Sequence, residues 1–373
     1  MSKTKISTKN QNLLWAVSGG RCQYDGCNKV LYQDILTKKA YNSSYIAHIV
    51  ADEPCGPRGD IVRSSELANN IKNLMLLCDV HHRLIDIEDI TGNPESRLLD
   101  MKKKHEDRIE RLTSIAPKLS SKIILYEANI GTHHSPLSYD IACDAMFPDF
   151  YPADNDPIEL GTKNAILKDS SHIYWLSEEA NLISQFDLKV KPLLMQSSTC
   201  QYSVFAMAPQ PMLIKLGVLL NDIYNVRIYQ KHREPSTWKW QESPTEIKYL
   251  IHEPVDKTKT PVFLFSLSGT VAHKRVEEVL GNDISIWEVS TDSPNNDFLK
   301  TEKQLSDFRK IVRSLFDKIK FHHGYVDLHI FPAMPISASI ELGRVWMPKT
   351  DMPMIIYDQN NDNHGFFKTI TIK

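Results

Sequence analysis

Cys22, Cys27, Cys78 and His81 are spaced as Cys-x4-Cys and Cys-x2-His. Three thiolates and one imidazole are the donor set of a closed, tetrahedral structural zinc site, which can pin distant segments of a domain with little core. Cys55, set between Pro and Gly in a loop, stands apart from them. Directly after His81, the run His82-x3-Asp86 puts an imidazole and a carboxylate one helical turn apart, where both can reach one divalent ion. His48 ends a strand-like run, and Asn73 opens another. Phosphodiester hydrolysis needs an activated water, neutralisation of phosphate charge and stabilisation of the leaving oxygen. His48 suits the first need as general base, a metal on His82 and Asp86 suits the other two, and Asn73 can hold His48 in orientation. Taken singly, each residue has a plainer use: a packed strand histidine, a turn asparagine, buried cysteines without a ligand. The joint spacing favours chemistry.

The elements that must hold these residues follow from patterning. Residues 12–32 read as a helix leading into the cysteine knuckle, 45–50 as a short strand carrying His48, and 73–77 as a second strand carrying Asn73. Residues 52–60, with Pro54, Gly56, Pro57 and Gly59, form a loop. Residues 96–112 form an amphipathic helix with Leu98, Met101, His105, Ile109 and Leu112 along one side. The pattern breaks across residues 113–121, which places a domain boundary after residue 116. Beyond it, strand-like runs near 203–208, 226–229, 262–267, 284–289, 325–331 and 354–357 alternate with helical patterns, including 297–320 and 337–345. That alternation predicts an α/β domain with a largely parallel sheet, long enough to hold two similar halves.

Bulk properties exclude some classes. The 373 residues are 42% hydrophobic and 24% charged, with a mean hydropathy of −0.33, as in a soluble globular chain of two or three domains. No run approaches the ~20 apolar residues of a membrane span. The first residues are polar and lack the apolar core of a secretory signal. Six cysteines are too few for a disulfide scaffold, so a reducing, cytoplasmic setting is expected. Residues 1–116 carry 17 Lys and Arg against 15 Asp and Glu, and the remainder 27 against 31. Charge alone would not suggest DNA, since tight phosphate binding normally uses a clustered basic surface.

Arg21-Cys22, Gly26-Cys27-Asn28, Ala47-His48-Ile49, Asn73-Leu74, Leu77-Cys78, His81-His82 and Asp86 together resemble the HNH endonuclease family, over residues 15–90. The resemblance implies an α+β, ββα-metal nuclease domain with structural zinc over 1–116. In it His48 would be the base, Asn73 its positioner, and His82 with Asp86 the ligands of Mg2+, Mn2+ or Ni2+. Many members carry an Asp or His ligand just before the base. Ala47 stands there, so a third protein ligand is unassigned.

In parallel α/β sheets, ligands bind beyond the carboxyl ends of the strands. Four segments there are small, polar or Pro-rich: residues 208–211 with Gln210, 266–270 with Ser266 and Ser268, 290–296 with Pro294 and Asn295, and 331–337 with Phe331, Pro332 and Ser337. Their hydroxyls, amides and backbone N–H groups can bind phosphates without much positive charge. Trp238, Trp240 and Trp287 offer either base-stacking platforms or core packing. With Pro209-Gln210-Pro211-Met212, Phe265-Ser266-Leu267-Ser268-Gly269 and the run from His329 to Pro335 leading to Glu341-Leu342-Gly343-Arg344, residues 117–373 resemble the SAVED domain. That resemblance implies two fused CARF-like, Rossmann-type units sensing a cyclic di- or trinucleotide. An HNH domain followed by SAVED is similar to the nuclease effectors of CBASS anti-phage systems. It implies homo-oligomerisation on activation, from dimer to tetramer or higher, and cleavage of double-stranded DNA, with no membrane partner. Two alternatives stay open: a restriction-type HNH enzyme whose C-terminal domain reads DNA, and a zinc-stabilised sensor whose HNH part has lost catalysis.

Overall fold

The Ser7 hydroxyl accepts the Asn10 N–H and so caps the first helix of the chain, α1 (Thr8–Val17). Gly19 and Gly20 end that helix by turning left-handed, at φ of 60° and 64°. It is therefore shorter than the helix expected over 12–32, and the cysteine knuckle lies outside it. The computed structural model describes residues 4–131, 137–162, 167–196, 201–242, 247–360 and 365–373, in two compact units, Met1–Ala116 and Pro117–Lys373.

The first unit continues with β1 (Ser44–His48), α2 (Arg63–Leu67), a 3-10 turn at Ile71–Asn73 and β2 (Leu74–Cys78). Then α3 (Asp79–Arg83) runs on into a π-helical turn, Leu84–Glu88, and α4 (Glu95–Thr113) closes the unit. β1 and β2 pair antiparallel with His48 opposite Leu74, and α3 follows at once, giving a ββα arrangement. All of β2 is buried. Around it lie Leu14, Ile49, Ile85, Leu98 and Met101, a core too small to hold the knuckle by itself.

In the second unit, β3 (Ser120–Glu127), α5 (Tyr139–Met146), β4 (Tyr151–Pro152), β5 (Ile158–Gly161), α6 (His172–Gln185), α7 (Lys191–Gln196), β6 (Gln201–Met207), α8 (Gln210–Leu220) and β7 (Val226–Ile228) build the first half. Its strands are all parallel, in the order β4-β3-β6-β7, with β5 also on β3. The second half adds β8 (Tyr249–His252), β9 (Thr260–Ser266), α9 (His273–Leu280), β10 (Ile284–Thr291), α10 (Glu302–His323), β11 (Leu328–Phe331), α11 (Ile336–Val345), β12 (Met354–Asn360) and β13 (Gly365–Ile372). Its sheet runs β13-β12-β11-β9-β10-β8, parallel in the middle and antiparallel at both edges. The first turn of α10 is fixed by a capping box between Thr301 and Gln304, so it starts later than residue 297.

The halves repeat one local plan. Pro209 precedes α8, and Pro335 precedes α11; each helix then carries Ile-x-Leu-Gly, at residues 214–217 and 340–343. α8 and α11 pack on each other at the centre of one shared core. No helix among the described residues is long and apolar enough to cross a membrane.

Candidate active site and metal centre

The donor atoms of Cys22, Cys27, Cys78 and His81 all lie within 4.8 Å of one another. His81 Nδ1 is 3.6 Å from Cys22 Sγ and 3.2 Å from Cys78 Sγ. Bonds of about 2.0–2.3 Å to one tetrahedral ion would place donors roughly 3.3–3.8 Å apart, so these residues fit zinc. The backbone sets them there: Gln23 N–H donates to the Leu76 carbonyl at 2.9 Å, tying the knuckle to β2. Tyr24 stacks on the His81 ring at 4.2 Å. Burial pushes the Cys22 thiol up, and the neighbouring Cys78 and Cys27 add to the effect. Burial also pushes His81 down, which keeps its imidazole neutral and ready to ligate. Three sulfur donors and one imidazole are the donor set of a structural zinc site. Cys55 is exposed and outside the group.

His48 is only 7% exposed, and its Nε2 lies 2.8 Å from the Ala68 carbonyl. A carbonyl only accepts, so Nε2 carries the proton and Nδ1 keeps the lone pair that a general base requires. Asn73 sits in the turn before β2, and not on the strand itself. Its Oδ1 accepts the Val50 N–H and its Nδ2 donates to the Val50 carbonyl, both at 2.8 Å; Nδ2 also reaches the Leu67 carbonyl at 3.3 Å. Among the described residues its side chain makes no hydrogen bond to His48. It fixes the chain two residues beyond His48 and the residue before Ala68, the histidine's own acceptor.

His82 Nε2 and Asp86 Oδ2 are 3.5 Å apart, on the α3 helix and its π-helical extension. Tyr45 of β1 stacks on the His82 ring at 4.9 Å and holds it against the strand that ends in His48. Ala47 faces the core opposite Met75, so position 47 offers no ligand. Among the described residues, no third His, Cys, Asp or Glu joins His82 and Asp86 in a close cluster. Arg58 stands there instead, with Nη2 at 2.7 Å from Asp86 Oδ1 and 3.5 Å from the His48 carbonyl. Sequence reasoning passed over Arg58, because an arginine between proline and glycine reads as solvated loop.

In the second unit the expected ligand residues divide. Trp287 is fully buried and donates its indole N–H to His323 Nε2 at 3.0 Å, so it is a core residue and no stacking platform. Trp238 is likewise buried against Phe205, and the half-buried Trp240 donates to the Ile228 carbonyl. Phe331 stacks on Tyr357 inside the core, and Pro332 is buried beside it. Ser266 accepts the Val271 N–H, and Ser337 donates its hydroxyl to Gln230 Oε1 at 2.8 Å. Gln210 Oε1 accepts the Met334 N–H at 3.1 Å, tying the first half to the second. Ser268 and Asn295 use their backbone N–H groups on the Ala333 and Leu267 carbonyls, and Pro294 lies beside Asn295. These segments do converge on one end of the sheet, at the carboxyl ends of β9, β10 and β11. A cavity of about 530 Å³ opens beside the other sheet, where Gln201 and Val226 begin β6 and β7. Its charged groups largely pair among themselves, Arg227 with Glu302 and Arg344 with Glu341.

The chain thus joins a small ββα unit to a larger unit of two α/β halves. The family model for the SMODS-associated and fused to various effectors sensor domain (SAVED) matches residues 182–372, just over half of the chain and wholly within the second unit. This chain belongs to the SAVED family. Among solved structures it is similar to the Acinetobacter baumannii Cap4 SAVED/CARF-domain containing receptor with the cyclic trinucleotide 2'3'3'-cAAA, at 12% identity and a TM-score of 0.43, covering 84% of this chain and 71% of that one. The same receptor with 3'3'3'-cAAA gives 13% identity and a TM-score of 0.42 over the same shares. A Moraxella osloensis Cap4 receptor gives 11% and 0.38, covering 77% of this chain and 64% of that chain. No curated protein matches.

Proposed function

We propose that this SAVED protein is a metal-dependent endonuclease of the HNH type, cutting double-stranded DNA when its sensor unit binds a cyclic oligonucleotide, as an anti-phage CBASS effector. The observation that carries the nuclease reading is the His48 ring. It is tethered by Nε2, has no hydrogen bond at Nδ1 among the described residues, and its carbonyl lies 3.5 Å from Arg58 Nη2, which also pairs with Asp86. His48 would take the proton of the attacking water at Nδ1. A divalent ion on His82 and Asp86 would neutralise the phosphate and stabilise the leaving oxygen. Asn73 keeps the His48 strand end and its Ala68 acceptor in register. The sensor family supports the gate, and two physical points favour it. A nearly neutral nuclease unit binds DNA weakly alone, and assembly of several copies multiplies phosphate contacts. The net acidic second unit argues against a DNA-reading role for it. The buried Ala47, which leaves the ion one protein ligand short, favours the reading of a sensor with a silent nuclease fold. A plasmid assay separates the two: with Mg2+ and a panel of cyclic di- and trinucleotides, one ligand should switch on cutting, and His48→Ala should abolish it while ligand binding persists. Cutting without any ligand would remove the gate, and no cutting with a ligand that binds would favour the silent reading.

A further inference from the structure

We propose that Arg58 is a positioning residue for the divalent ion, fixing the Asp86 carboxylate by one oxygen so that the other faces His82. The proposal rests on the nuclease reading. Arg58 is 7% exposed along its side chain and adopts a left-handed φ of 57° between Pro57 and Gly59. That backbone, unusual for a residue with a Cβ, delivers a guanidinium into the gap between β1 and the helix. There its donors are spent on both sides. Nε donates to the Ile49 carbonyl at 2.6 Å, just beyond His48, and Nη1 to the Ile85 carbonyl at 2.7 Å, just before Asp86. Nη2 then donates to Asp86 Oδ1 at 2.7 Å.

The carboxylate is therefore asymmetric. Oδ1 belongs to Arg58, while Oδ2 lies 3.5 Å from His82 Nε2, too far for an ordinary hydrogen bond. Two donors at right angles on a small octahedral ion sit roughly 3 Å apart, so this pair is within about half an ångström of sharing one. An arginine that only stapled the loop would be served by the two backbone carbonyls. The third contact orients a ligand, and it couples base and ion because one rigid guanidinium spans the segments that carry them.

The test uses the whole chain, zinc-loaded, with Mn2+ as probe; Mn2+ binding is followed by electron paramagnetic resonance, and the Mn2+ concentration that half-saturates plasmid cutting is measured with the cyclic oligonucleotide that switches cutting on. Arg58→Met should weaken Mn2+ binding by about 10- to 100-fold, the usual effect of losing a group that orients a metal ligand. High Mn2+ should restore much of the cutting. Arg58→Lys, which can still pair with Asp86, should fall between, and it carries the test if the Met variant does not fold. Zinc content and melting temperature, measured alongside, report folding separately. Unchanged Mn2+ affinity in a folded variant, or lost cutting that Mn2+ does not rescue, overturns the role of Arg58 alone. Wild-type protein that binds no Mn2+ overturns both this role and the nuclease reading.

Discussion

Gly217 of α8 and Gly343 of α11 lie against each other where the two halves of the sensor unit cross. A side-chain carbon built at Gly217 would meet the Ile340 carbonyl oxygen at 1.9 Å, and one at Gly343 would meet the Ile214 carbonyl oxygen at 2.0 Å. These contacts are with backbone, which cannot swing aside. Gly217→Val or Gly343→Val should therefore cost about 3 kcal/mol or more in stability of this unit. Denaturant unfolding followed by Trp fluorescence checks it, and wild-type stability would show that the helices can part freely.

The zinc assignment makes a separate demand. Cys22 is fully buried with its thiol pushed up, and it has the Cys78 N–H as a donor at 3.4 Å. Cys22→Ser should lower zinc content by about one ion per chain and destabilise the first unit by several kcal/mol. Elemental analysis with thermal melts decides the matter. A variant that keeps its zinc, or a wild type that folds fully after chelation, would exclude a structural ion.

If the chain is the nuclease proposed above, Asn73 tests whether His48 is held through the backbone. Asn73→Asp keeps the acceptor for the Val50 N–H but turns the Nδ2 donor into an oxygen facing the Val50 carbonyl. It should be at least as damaging as Asn73→Ala, each losing about 1–3 kcal/mol from unsatisfied buried groups. Cutting should fall as well, because the strand end beside His48 loosens. Equal activity in both variants and the wild type would mean that Asn73 has no part in placing His48.

Much of the first unit's fold was legible because its patterns are local. The cysteine spacings and the strand runs near His48 and Asn73 are short-range patterns, and the fold gathers Cys22, Cys27, Cys78 and His81 beside the paired strands. What the sequence did not announce depends on distance in the chain. Arg58 reaches Asp86 from a Pro/Gly loop, and Ala68, the acceptor of His48, comes from a segment with no pattern. The second unit shows the opposite limit. Most of its strands and helices after residue 200 match the apolar runs of the sequence, although β8, α9 and β13 were not among them, and polar side chains such as the half-buried Gln210 and the buried Ser337 look in sequence like ligand contacts. In the fold they stitch the halves together. Trp287 likewise satisfies its N–H on His323, a partner on another helix that no local pattern points to.

His232 gives a prediction about acid. It is fully buried, and among the described residues neither ring nitrogen has a hydrogen-bond partner; Asp297 Oδ1 approaches Nδ1 only to 3.7 Å. Burial, aided by the Lys300 charge, pushes its pKa down from 6.5 to about 4, against the weaker pull of Asp297. Between those values the unfolded chain binds a proton that the folded chain refuses. Stability from this group is therefore intact above pH 6.5, declines as pH falls, and is fully lost near pH 4, a total of about 3 kcal/mol. His232→Phe removes the titration while keeping an aromatic ring beside Trp240, whose ring centre lies 5.9 Å away. Unfolding free energies measured from pH 7 to pH 4.5 should fall more steeply for the wild type than for this variant. Parallel slopes would show that His232 titrates in the folded protein as it does in the unfolded chain.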